Sequence, residues 1–201
     1  MSKVPSDPSE DFPDVRISLR LALLAIIGLT GAYAVIFVLL GAGARSLPIE
    51  LIASLGLATV LLLLSYIDLR TGLLPDLLTI PLGLTGLIYA SLIEGYAIWS
   101  IGGAVVGYGL VAGLSSLWCR LRGYEGIGLG DAKLLGAIGA WVGLPALPIV
   151  LLIGSGLGIL IALIGTQKEK TKTSRFAIPF GPFLAIGGWT AWCLEEMSAV
   201  L

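Results

Sequence analysis

Charged residues in this chain are sparse and clustered, and long uninterrupted apolar runs separate the clusters. A hydrocarbon core about 30 Å thick takes about 20 mostly apolar residues as one helix, so each run is a candidate membrane span. Residues 21–44 lie between Arg20 and Arg45, 51–67 between Glu50 and Asp68, 77–93 between Asp76 and Glu94, and 95–119 end at Arg120. No charge occurs between Lys133 and Lys168. That stretch is long enough for two spans, the first of them short (131–144), with Gly143, Pro145 and Pro148 supplying the turn. Residues 176–194 form the last run. The pattern predicts an all-α fold, a polytopic membrane helix bundle of about seven spans.

The cations orient this bundle, because Lys and Arg gather in cytoplasmic loops. With the N-terminus cytoplasmic, the inner side holds Lys3, Arg16 and Arg20, then Arg70, then Arg120, Arg122 and Lys133, then Lys168, Lys170, Lys172 and Arg175. The outer side holds Arg45 alone. A miscounted span would scramble the alternation. Residues 1–16, rich in Pro, Ser, Asp and Glu, read as a disordered cytoplasmic tail, and 17–201 as a single membrane-embedded domain. Ala42-Gly43-Ala44 resembles a signal-peptidase site, but the acidic leader and the long apolar run favour a retained helix. The topology puts Cys119 inside and Cys193 near the outer face, so no disulfide between them is expected.

Composition agrees with lipid as the solvent and narrows the chemistry. Of 201 residues, 57% are hydrophobic and only 12% charged, with 28 glycines, a net charge of -1 and no histidine. Mean hydropathy is +1.00. Without imidazole there is no Ser-His-Asp triad, no Cys-His pair and no His-Glu-x-x-His zinc site. Two cysteines cannot build a four-thiolate zinc cluster. Net charge near zero gives no case for nucleic acid as a partner. Gly102, Gly103, Gly107, Gly109 and Gly113 in the fourth run, and Gly154, Gly156 and Gly158 in the sixth, supply small-residue spacings for close helix packing. A backbone-lined cavity for an extended peptide is the alternative for the fourth run.

Acid-base chemistry then falls to carboxylates. An ionisable group inside a span costs about 2.5–3.5 kcal/mol on insertion scales, whereas one at a span end is cheap, so position is informative. Asp68 ends the second run, Asp76 follows Leu73-Leu74-Pro75 and starts the third, and Asp131 follows Gly126-Ile127-Gly128-Leu129-Gly130 and starts the fifth. All three fall on the cytoplasmic side and can converge at one depth. Two carboxylates held close do not both ionise, and such a pair supplies an acid and a base for aspartic protease chemistry. The competing structural reading makes Asp76 and Asp131 helix N-caps and Asp68 an interfacial residue. The glycines before Asp131 weigh against a simple cap, which needs none of them.

The segment from Glu125 through Gly128-Leu129-Gly130-Asp131-Ala132-Lys133 to Gly139-Ala140-Trp141-Val142-Gly143 resembles the Gly-x-Gly-Asp signature of the type IV prepilin peptidases. Asp68 with Leu73-Leu74-Pro75-Asp76 is similar to that family's first aspartate segment, and Ile178-Pro179-Phe180-Gly181-Pro182-Phe183 to its last. The resemblance covers about residues 50–190. It implies a bacterial inner (cytoplasmic) membrane aspartic endopeptidase that trims short basic leaders from prepilin or pseudopilin-like proteins at the cytoplasmic boundary, usually after a glycine. It makes Asp68 and Asp131 the catalytic pair, with Asp76 structural or supporting, and calls for no cofactor and no metal. Longer family members carry an N-terminal domain with paired Cys-x-x-Cys motifs associated with N-methylation; this sequence has only Cys119 and Cys193, so a peptidase without methyltransferase activity is expected.

The remaining charged and aromatic residues have plainer readings. Lys133 reads first as a snorkelling interfacial lysine, with a contact to an acidic residue of the substrate as the alternative. Arg122 and Glu125 read as solvated loop charges, Lys168 to Arg175 as topology signals facing anionic lipid, and Tyr66 and Trp141 as interface aromatics. Two other functions use the same acids: an ion or proton pathway lined by Asp68, Asp76 and Asp131, and a membrane phosphotransferase holding Mg²⁺. The first would place the carboxylates deeper in the spans, and the second lacks a phosphate-binding constellation beyond the glycine loop. The pattern assigns no oligomeric state and no particular pilus or secretion system.

Overall fold

Apolar runs become helices because a backbone in hydrocarbon must satisfy its own hydrogen bonds. The computed structural model describes residues 48–123, 128–165 and 179–200. The tail 1–16, the run 21–44 with its Ala42-Gly43-Ala44 triplet, Glu125, Gly126 and the cations from Lys168 to Arg175 lie outside the described residues. Five α-helices follow: α1 (Pro48–Thr71), α2 (Asp76–Tyr89), α3 (Ala97–Arg122), α4 (Leu129–Gly165) and α5 (Gly181–Val200). No strand occurs among the described residues. Within them, the segments Ile52–Thr71, Asp76–Glu94, Ala97–Arg122 and Leu129–Ile161 are long and apolar enough to cross a membrane.

α2 does not stop at Tyr89 but runs on as a π-helical turn, Ala90–Glu94, closed by Gly95 at φ 73°. The Tyr89 hydroxyl donates to Glu94 Oε1 across that turn at 2.9 Å. α3 ends on Gly123 at φ 75°, whose N–H caps the Cys119 carbonyl.

The long uncharged stretch reverses where Gly143 and the two prolines predict. Gly143 has φ 69° and ψ 172°, a conformation open to glycine and strained for any other residue. Contacts with α5 fix the sense of the two arms. Ile138 lies against Gly188 and Val150 against Gly187, then Gly154 meets Phe183 and Gly158 meets Phe180. The arm after Gly143 therefore returns toward the end from which α4 began. At about 1.5 Å per residue, the first arm is shorter than a full bilayer crossing.

α3 and α4 approach until backbone meets backbone. A Cβ at Gly103 would overlap the Gly139 carbonyl oxygen, and one at Gly139 would overlap the Gly103 carbonyl oxygen. At Gly107 a Cβ would come within 2.8 Å of the Leu135 oxygen, while Gly109 and Gly113 face open space. The glycine-lined side of α3 is thus filled by α4. Ser100 closes the contact, donating from Oγ to the Ala140 carbonyl at 2.5 Å.

The core lies between α1, α2, α4 and α5 around Tyr89, Trp141 and Trp192. Their ring centroids are 5.5–5.6 Å apart, one pair stacked and two edge-on. Both indoles are satisfied, Trp141 Nε1 on the Leu82 carbonyl at 2.8 Å and Trp192 Nε1 on Ser54 Oγ at 2.9 Å. Trp141, expected at the interface, is instead 5% exposed, because Gly86 lets its ring lie against α2. Tyr66 is half-buried and carries the Arg70 guanidinium 5.5 Å above its ring.

Gly103→Ala should force α3 off α4 and cost about 1–3 kcal/mol, the usual range for overpacking. Gly109→Ala, in open space, should leave stability unchanged or slightly raised. Thermal unfolding in detergent checks the contrast, and equal losses in the two variants would contradict the backbone contact.

Candidate active site

One end of the bundle gathers the chain positions that the sequence singles out. α1 carries Asp68 into it one turn before the helix closes, where Gly72 N–H bonds the Asp68 carbonyl at 2.8 Å. α5 begins there with Gly181, and α4 begins there with Leu129-Gly130-Asp131. Asp68 is 4% exposed, a costly place for a carboxylate unless it is hydrogen-bonded. Its Oδ2 accepts the backbone N–H of Gly181 at 2.9 Å. A side chain at 181 would exclude this contact, since a Cβ there would sit 2.6 Å from Asp68 Oδ2.

Asp131 is half-buried and lies within electrostatic range of Asp68. It is the third residue of α4, so it is not the helix cap. Its own N–H bonds the Gly128 carbonyl at 3.2 Å, folding the glycine segment beneath it. Gly130 leaves room for Leu74, whose Cβ would be 3.2 Å from a Cβ at that position. The loop between α1 and α2 therefore packs on α4 one residue before Asp131.

Asp76 is not a cap either. Pro75 occupies the cap position with φ -69° and ψ 133°, and Asp76 Oδ1 pairs with Lys133 Nζ at 2.6 Å. Lys133 thus has a partner within the chain, where the sequence suggests a snorkelling lysine. The pair is half-exposed, with side chains 37% and 54% accessible for Lys133 and Asp76. It ties the first turn of α2 to the second turn of α4. Beside Lys133 an apolar groove of about 270 Å³ runs between α2, α3 and α4, floored by Gly83, Ala104, Gly136 and Ala137. Arg122 closes α3 with its guanidinium 5.4 Å above the Trp118 ring. Neither Cys119 nor Cys193 is joined in a disulfide.

The end of α1 and the starts of α2, α4 and α5 converge here, and all four carry motif residues; the comparison with known sequences agrees. The model of the type IV leader peptidase family matches residues 55–163. The chain belongs to this family. Among curated relatives, the "Prepilin leader peptidase/N-methyltransferase" of Burkholderia pseudomallei (strain K96243) is 46% identical over 143 residues, covering 68% of this chain and 44% of the relative. The protein of that name from Aeromonas hydrophila is 46% identical over 146 residues, covering 70% and 48%. That from Escherichia coli (strain K12) is 43% identical over 142 residues, covering 65% and 60%. The chain spans about half the length of the curated relatives it matches. No solved structure matches it.

The type IV leader peptidase family match ends at 163, before α5, yet α5 supplies the donor to Asp68. Sequence alone assigns Gly181 no role, although its segment is similar to a family motif. The available signal was Gly181-Pro182 opening a helix, a start that proline favours and that leaves one backbone N–H ahead of it.

Because the Asp76–Lys133 pair is half-exposed, Lys133→Met and Asp76→Asn should each cost about 1 kcal/mol or less. The double variant should be no worse than either single one. Additive losses in thermal unfolding would mean the two residues act separately.

Proposed function

We propose that this chain is a membrane aspartic endopeptidase that removes the basic leader from prepilin or pseudopilin-like proteins at the cytoplasmic membrane boundary. The observation that carries the reading is the placement of Asp68 and Asp131, two carboxylates from separate helices, at the same end of the bundle and within electrostatic range of each other. Membership of the type IV leader peptidase family supports it, as do relatives named for prepilin leader cleavage. In this reading Asp68 and Asp131 are the catalytic residues.

In this mechanism the pair works with one shared proton, the state that two carboxylates held close adopt. The ionised member takes a proton from water, and the water oxygen attacks the scissile carbonyl carbon. The protonated member gives its proton to the carbonyl oxygen, leaving a gem-diol. Collapse breaks the C–N bond: the proton held by the pair passes to the departing amine, and one gem-diol hydroxyl proton returns to the pair. No imidazole is needed, in keeping with a chain that has none. Both carboxylates lie in the terminal turns of their helices rather than midway along them, which disfavours an ion pathway.

The topology that suits this chemistry is about seven membrane segments in a bacterial inner membrane, the fifth too short to cross it fully, with the N-terminus in the cytoplasm and the site at the cytoplasmic face. A leader made in the cytoplasm then reaches the pair without crossing the bilayer. Arg70, Arg120, Arg122 and Lys133 all belong to the site end of the bundle, where the positive-inside rule puts them.

Purified protein in detergent should convert a prepilin with its basic leader to a leader-shortened product. Asp68→Asn and Asp131→Asn should each slow cleavage by at least about 100-fold, the lower range for loss of a general acid or base. EDTA should have no effect. Full cleavage by either variant would sink the two-aspartate mechanism, and EDTA inhibition would favour a metal-dependent reaction. For topology, an alkaline phosphatase domain fused after Leu201 should be active, and one fused after Gly123 inactive; the reverse pattern would invert the orientation.

A further inference from the structure

We infer that Gly181 is the positioning residue of the pair: its backbone N–H holds Asp68 as the carboxylate that takes the proton from water, leaving Asp131 to donate to the carbonyl oxygen. The inference rests on the peptidase reading above and adds an assignment that the two motif aspartates alone do not make.

The two carboxylates are held unequally. Asp68 is 4% exposed and receives the Gly181 N–H at 2.9 Å. Asp131 is only half-buried, and among the described residues its carboxylate receives no hydrogen bond or ion pair. Burial alone disfavours charge on Asp68, and the Gly181 N–H, a bond that strengthens when its acceptor is charged, offsets that cost; Asp131 has no such donor among the described residues, so the tethered member is the one the fold equips to carry the negative charge. A proton donor must in turn follow the carbonyl oxygen as the carbon becomes tetrahedral, and the untethered carboxyl is the one free to do so.

The first turn of α5 directs this donor to Asp68. Of its leading residues, Pro182 has no N–H, while Phe183 and Leu184 both donate to the Phe180 carbonyl, at 3.1 and 3.2 Å. Gly181 is left to point its N–H out of the turn. α5 is 20 residues long, so the positive end of its backbone dipole adds to the same effect. Glycine is required because a Cβ at 181 would lie 2.6 Å from Asp68 Oδ2 and 3.0 Å from its Cγ. Whatever residue replaced it would push away the carboxylate that its N–H now holds.

The test deletes the N–H while adding no bulk. Gly181 is replaced by glycolate, which turns the amide into an ester, and the protein is assayed on a prepilin beside the parent, Gly181→Ala, Asp68→Asn and Asp131→Asn. For the ester, kcat should fall about 10- to 100-fold, the range for a hydrogen bond to a charged group. KM and the thermal midpoint should stay near those of the parent. Gly181→Ala should lose at least as much kcat, and the ester keeps the test decisive if the alanine variant fails to fold. An ester with parental kcat, while both Asn variants are dead, overturns the role of Gly181 and leaves the peptidase reading standing. So does an ester whose KM rises while kcat holds, which would place Gly181 in substrate binding. A parent that cleaves no prepilin overturns both.

Discussion

A carboxylate shut away from water at the end of a membrane helix must find a donor, and the rest of this architecture serves that requirement. Asp68 finds it 113 positions further along the chain, at Gly181 N–H. Bringing α5 to that point depends on the helix before it. α4 leaves the site, reverses at Gly143 and returns, so that Val150, Gly154 and Gly158 form a track for α5. Asp131 stands at the start of the same helix. The element that delivers the second carboxylate therefore also seats the donor for the first.

The reversal is itself held by a backbone contact. Gly103 and Gly139 let α3 and α4 meet without side chains between them, and Ser100 bonds the Ala140 carbonyl just before the break. Hydrocarbon offers no hydrophobic drive for two helices to associate, so close dispersion contact and interhelical hydrogen bonds carry the stability. On the opposite side of α4, Trp141 fills the space left by Gly86 and stacks with Tyr89 at 5.6 Å. Far from the site, these contacts set the depth of Asp131, and the Asp76–Lys133 pair with Leu74 over Gly130 settles its first turn.

Much of this was legible in the order of residues. Charge-free runs located the helices because burying a charge in lipid is costly, and Gly143 with Pro145 and Pro148 located the reversal because few residues tolerate that backbone. Asp68 and Asp131 were legible as exceptions to an apolar pattern. Pairwise encounters across long separations were not. Trp141 reads as an interface aromatic until Gly86 and the Leu82 carbonyl are seen to receive it. Lys133 reads as a snorkelling cation until Asp76, on another helix, is found within 2.6 Å. Glycines along α3 look equivalent in sequence, yet Gly103 and Gly107 touch α4 while Gly109 and Gly113 touch nothing. Gly181 was hardest to see, since its contribution is a backbone N–H that no side-chain pattern announces.

If Asp68 and Asp131 act on one substrate as a unit, a double-mutant cycle on binding will show it. The ligand is a leader–pilin junction peptide whose scissile carbonyl is replaced by a tetrahedral carbinol, which mimics the intermediate both carboxylates would contact. Its affinity is measured for the parent, Asp68→Asn, Asp131→Asn and the double variant. Coupled residues give losses that do not add, so the double variant should bind about as well as the weaker single variant. Losses that sum across the two positions, or an affinity indifferent to either, would contradict a shared site.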